Sequence, residues 1–271
     1  MRWKGSRGSS NVKDRRGGRA AAVGGGLGGI VMVVLYLVLG GDPGNLDLGG
    51  GSPATGPPPA GEDRAMEFAS VILASTEDVW SEAFSSAGLR YIAPSMVVYS
   101  GRTSSACGLG SSAMGPFYCP PDRTIYLDLT FFDDLARLGG PGDFAAAYVI
   151  GHEVAHHVQN LLGTTDQVRQ LQARASELEA NALSVRLELQ ADCYAGVWAN
   201  QGERNRRWLE PGDVEEGLAA AAAIGDDRLQ RRGGGEVVPE TFTHGSASQR
   251  QRALRMGLDN GDPEACDAVG G

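Results

Sequence analysis

The chain has 271 residues, 42% of them hydrophobic, with 40 glycines and a net charge of −9, a length that holds one sizeable folded domain with appendages. Residues 1–19 carry seven basic side chains against Asp14 alone, a balance of +6 that leaves −15 for the remainder. An acidic body of that kind excludes nucleic-acid binding that runs on Lys and Arg neutralising phosphates.

In chain order, residues 1–19 read as a basic cytoplasmic head, because residues 20–41 carry no charge and are densely apolar in their second half. About 20 such residues span a bilayer, and basic residues on the N-terminal flank keep that end inside while the body is exported. The stretch reads as a single-pass signal anchor in the cell membrane, in preference to a cleaved signal peptide, since no A-x-A site follows it. Residues 42–61 are Gly- and Pro-rich and read as a linker. The folded domain then occupies 62–271.

Within that domain, Met66, Ala69, Ile72, Leu73, Val79, Trp80 and Phe84 recur at helical spacing and predict a helix over 62–86. Tyr91-Ile92 and Met96–Tyr99 read as extended, residues 107–119 as a Gly-rich loop, and Thr124–Leu129 as a strand whose free edge could receive an extended peptide. A short helix follows over 131–138. Asp143 and Gly163 bracket the next helix, and Ser176 with Glu179 forms a capping box opening a helix to about Gly202. Asp213 with Glu216 carries the same signature, for a helix running to about Arg232. Ser246 with Gln249 opens a last helix ending at Gly257. The class is α+β, predominantly helical. Four cysteines in an exported body can form two disulfides; Cys107 and Cys119 are close enough to staple one loop, which leaves Cys193 with Cys266.

The helix after Asp143 contains Gly151-His152-Glu153-Val154-Ala155-His156-His157, a fit to HExxH. His152 and His156 stand at i and i+4 on one face, so both imidazoles can meet one ion with Glu153 beside them. A metzincin would need Gly at 159 and His at 162, where this chain has Gln159 and Leu162. A carboxylate from a second helix is the other solution. Metal-bound histidines commonly donate their second ring nitrogen to a further carboxylate. Among Glu177, Glu179, Glu188 and Asp192, only Glu188 has an acid at i+4, which makes Glu188 the third ligand and Asp192 the group orienting His152 or His156; the reverse assignment of the two acids stays open. His244, before the last helix, is a candidate donor to an oxyanion, and His157 points elsewhere, toward neighbouring groups or the surface.

These residues carry a resemblance. Cys107-Gly108, Gly115–Pro120, Tyr126-Leu127-Asp128 with Phe131-Phe132, Gly151–His157, Glu188–Trp198, and Thr243-His244-Gly245 with Gln249-Arg250 resemble the bacterial neutral zinc metallopeptidases, membrane-anchored relatives of the gluzincins. The resemblance implies a zincin-like domain, with a small edge sheet packed on the HExxH helix and a second helix supplying a ligand. It implies Zn2+ at His152, His156 and Glu188, with Glu153 catalytic. The activity expected is hydrolysis of a peptide or protein substrate, Glu153 acting as general base and His244 steadying the oxyanion. The competing expectation is a zinc-fold binding or structural protein of the cell envelope without turnover.

Overall fold

A computed structural model describes residues 1–16 and 60–269. The apolar stripe from Ala69 to Phe84 becomes the buried face of helix α1 (Ala60–Ser86). Strands β1 (Val12–Asp14), β2 (Ser95–Tyr99), β5 (Phe117–Cys119) and β6 (Thr124–Asp128) build a sheet in the order β1-β2-β6-β5. Its first three strands are parallel, and β5 runs antiparallel to β6. β6, expected to offer a free edge, is buried throughout and flanked on both sides, so the edge falls to β5. The stretch read as a loop also holds structure: β3 (Arg102–Ser105) and β4 (Gly108–Ser111) form a hairpin before β5.

The rest is helical: α2 (Phe131–Arg137), α3 (Asp143–Leu161), α4 (Thr164–Gln172), α5 (Glu177–Arg206), α6 (Asp213–Ala223), α7 (Asp226–Arg232) and α8 (Ala247–Asn260). The capping boxes at Ser176 and Ser246 both form. The one expected at Asp213 does not, because the Glu216 carboxylate accepts from the Phe144 amide at the start of α3 instead. The single helix expected to run from there to Arg232 breaks at Ile224-Gly225. Nor does α8 stop at Gly257, which lies inside it at the crossing with α5. A Cβ at Gly257 would lie 1.9 Å from the Cys193 carbonyl oxygen, and one at Gly196 would lie 2.3 Å from that of Leu254. The two glycines let the backbones of α5 and α8 meet, and the chain ends α8 at Gly261, with φ +68°. Two disulfides fasten the frame as anticipated, Cys107–Cys119 and Cys193–Cys266, the second closing a separation of 73 residues.

Residues 1–16 do not stand apart as a basic head. Met1 and Trp3 are buried in the main core, Trp3 edge-on to Phe68 at 5.3 Å. Ser9 and Asn11 bond Glu77 on α1, and β1 pairs in register with β2. The apolar Met1 and Trp3, spaced between the segment's charges, supply the contact with the core. Residues 1–16 pack with the body as one unit. The apolar stretch 20–41 and most of the linker lie outside the described residues, and among those described no helix is long and apolar enough to cross a membrane. Trp3→Ala is expected to cost about 3 kcal/mol through the cavity it leaves, read as a lowered denaturation midpoint. A midpoint unchanged from wild type would show that the segment contributes nothing to the core.

Candidate metal centre

α3 is buried along most of its length, Phe144 to Gln159, and so its polar side chains require partners. α5 crosses it and turns Leu189, Ala191 and Cys193 to Ala199 into the same interior. Where the helices meet, His152 Nε2 lies 3.1 Å from His156 Nε2 and 3.1 Å from a Glu188 carboxylate oxygen, and His156 Nε2 lies 3.4 Å from the other. The structure thus brings together the three residues singled out as ligands.

Their partners define the protonation pattern. His152 Nδ1 meets Asp192 at 2.8 Å, and an ionised carboxylate only accepts, so Nδ1 carries the proton. His156 Nδ1 meets Gln159 Oε1 at 2.9 Å, while the Gln159 amide donates to the Leu187 carbonyl and Gln190. In the neutral rings both Nε2 atoms then present lone pairs to each other and to a carboxylate. Three acceptors this close need a proton or a metal ion between them. Ligand atoms about 2.0–2.2 Å from a tetrahedral zinc stand roughly 3.3 Å apart, which the three separations match. Burial works against a charge on His152, but Asp192 and Glu188 outweigh it and raise its pKa to about 10 in the absence of metal. Proton and metal compete for the same nitrogen, so binding releases protons.

The support behind this triad runs deeper than the sequence reading reached. Asp192, fully buried, takes two bonds from Arg250, Nε at 2.9 Å and Nη2 at 2.9 Å, and a third from the Tyr148 hydroxyl at 2.5 Å. Burial would push its pKa up, but Arg250 and His152 hold it below the usual carboxylate value. Glu153 is buried beside the histidines. Burial raises its pKa, opposed by His156 and His152 and by a hydrogen bond from the Tyr118 backbone amide. A raised pKa makes a carboxylate a better proton acceptor.

His244 sits on the loop before α8, pressed on the α5 turn that carries Glu188: a Cβ at Gly245 would contact Val185 and Leu189 at 3.3 Å. The Asp226 carboxylate accepts the backbone amides of Thr243, His244 and Gly245 at 2.7–3.0 Å and faces His244 Nδ1 at 3.3 Å. Burial lowers the pKa of His244, but Asp226 and Glu188 raise it further. Asp226 is a residue that sequence reasoning missed. Its only local mark was its place after Gly225 at the start of α7.

His157 is fully buried, which rules out the surface alternative. Its Nε2 donates to the Ile92 carbonyl at 2.6 Å, and its Nδ1 accepts from Tyr118, whose hydroxyl also accepts from Asn160. It thereby ties α3 to β5 and to the segment before β2. Burial lowers its pKa from 6.5 to about 4. Because the folded value is the lower one, its contribution to stability is complete above pH 6.5 and is lost as pH falls toward about 4. His157→Asn is expected to flatten that part of the stability profile, measured by denaturant midpoints between pH 7 and 4; an unchanged slope would contradict the assignment.

A second convergence of acids, Asp143, Asp213 and Glu216, is also close enough to hold a metal. It already surrounds a cation: the Met1 ammonium, 2.8 Å from Asp143 and 3.3 Å from Asp213.

A buried helix carrying HExxH, crossed by a helix bearing Glu188, defines a chain of the zinc-peptidase class, and comparison with known families agrees. Residues 1–269 match the family described as "Putative neutral zinc metallopeptidase", to which the chain belongs. Among its relatives, it is 49% identical to the uncharacterized protein YpfJ of Escherichia coli (strain K12), over all of this chain and 99% of that one. It is 47% identical to the uncharacterized protein Mb2605 of Mycobacterium bovis and to the uncharacterized protein Rv2575 of Mycobacterium tuberculosis, over 65% of this chain and 62% of each relative. No solved structure matches the chain.

Proposed function

We propose that the protein is a gluzincin-like zinc peptidase that hydrolyses peptide bonds, with His152, His156 and Glu188 as metal ligands. The observation that carries this reading is the convergence of His152 Nε2, His156 Nε2 and the Glu188 carboxylate, 3.1–3.4 Å apart. When bound, zinc supplies a Lewis acid that polarises a carbonyl and lowers the pKa of water toward about 7.

Glu153 takes the proton of the attacking water and returns it to the leaving amine. Its burial keeps it basic enough to do so, and the Tyr118 amide fixes its direction. His244, oriented by Asp226, donates to the developing oxyanion. Asp192 and Gln159 hold the two imidazole rings in the tautomer that presents Nε2. A peptide lies extended along β5, the sheet edge docked on α3 through Tyr118, where strand addition aligns its scissile bond. The two disulfides support an oxidising, extracytoplasmic location.

Zinc-loaded protein is expected to cleave members of a quenched-peptide mixture, to stop when a chelator strips the metal, and to recover on adding zinc back. Metal bound at one equivalent with every peptide left intact would favour a zinc-holding binding protein instead.

A further inference from the structure

Next to the triad, between α4 and α5, lies a cavity of about 260 Å³. His156 and Glu188 close its inner end, and Tyr118 and Pro120 form the wall that continues from β5. Val168 and Leu187 give it apolar sides, and Thr165 and Ser184 add hydroxyls. The remaining feature is Arg169 on α4, exposed and lining the same space.

What sets that arginine apart is its place on the cavity wall beside His156 and Glu188. The body carries an excess of negative charge, yet among the described residues no carboxylate pairs with Arg169. The acid at the inner end, Glu188, is engaged by His152 and His156. Asp122, an acid whose charge reaches Tyr118, is committed to the Tyr126 hydroxyl and to the amides of Ala106 and Thr124. An uncommitted guanidinium on a half-apolar cavity is a receptor for a carboxylate, which it can hold with two parallel hydrogen bonds. The apolar walls suit the methylene stem that carries such a group.

We propose that this cavity is a substrate subsite for a carboxylate adjacent to the scissile bond, with Arg169 as its specificity determinant. The inference rests on the peptidase reading, because the cavity opens on the proposed metal ligands. Two sources share this chemistry, an Asp or Glu side chain and the free C-terminus of a peptide. The first makes the protein an endopeptidase selective for acidic residues, the second an enzyme that trims chain ends.

The test compares wild type with Arg169→Glu on end-blocked peptides carrying Glu, Gln or Lys at the residues flanking the cleaved bond, and on the same peptides with free or amidated C-termini. Wild type is expected to prefer the carboxylate-bearing member by about tenfold in kcat/KM, and Arg169→Glu to lose that preference and accept Lys instead. Preference among end-blocked peptides identifies the side chain as the source; preference only for the free C-terminus identifies the terminus. Binding is read separately by fluorescence polarisation on zinc-loaded Glu153→Gln, with and without Arg169→Glu. Cleavage by wild type without discrimination would overturn the subsite and leave the peptidase reading standing. Discriminating binding without any cleavage would keep Arg169 as a carboxylate receptor but overturn the peptidase reading and with it the subsite's place beside a scissile bond, and neither binding nor cleavage would overturn both.

Discussion

Arg250→Met is expected to destabilise the protein by about 3–5 kcal/mol, because it strands a buried carboxylate without its counter-charge. Arg250 and Asp192 are both almost wholly buried, and Asp192 leans on the guanidinium through two bonds of 2.9 Å. With the guanidinium gone, Asp192 must take up a proton or draw water into the interior. Either change weakens its hold on His152 Nδ1 at 2.8 Å. Zinc affinity should therefore fall as well, by about 10–100-fold, the usual cost of losing a group that orients a metal-bound histidine. The sign in pH follows from the same pair. Arg250 and His152 depress the pKa of Asp192, so its contribution to stability holds above 3.8 and fades as pH falls below it. Guanidinium midpoints and zinc titration against a competing chelator measure the two losses. The double variant Arg250→Met, Asp192→Leu should recover much of the stability but none of the zinc affinity. If Arg250→Met alone leaves both unchanged, the ion pair does not support the centre.

Much of this centre was legible from residues that lie within one or two helical turns of each other. His152 and His156 are joined by the i, i+4 rule, as are Glu188 and Asp192, and the structure keeps both pairs in the relation that spacing implied. The disulfides were legible because four cysteines with one close pair leave little choice. What escaped lies far apart in sequence. Arg250 is 58 residues from Asp192, Tyr148 is 44 from it, and Asp226 is 18 from His244. No periodicity connects such pairs: Arg250 and Asp226 look locally like ordinary surface residues, and Tyr148 like one of the apolar stripe of its helix. Gln159 shows a different failure. Set against the metzincin pattern it is only a missing glycine, although its position three residues after His156 places its amide on the ring's Nδ1.

The fold misreadings have the same origin. Val12–Asp14 is a three-residue strand whose partner lies some 84 residues away, Val12 against Met96, so neither length nor pattern announced it. Gly257 looked like a helix stop because glycine ends many helices. Here it is spent on the close crossing that brings α8, and with it Arg250, onto α5.

Catalysis in the proposed mechanism turns on one proton acceptor, Glu153, held beside the proposed metal ligands but not itself part of the convergent set. Glu153→Gln keeps the size of the side chain, its burial and an acceptor for the Tyr118 amide, and removes only the ability to take the proton. General-base catalysis contributes about 10²–10⁴-fold to a rate. The decisive measurement is kcat for hydrolysis of one cleaved peptide by wild type and Glu153→Gln, each with its bound zinc measured in the same sample. The expected result is a fall of about 10²-fold or more in kcat at equal zinc content. Equal rates at equal zinc would contradict the account.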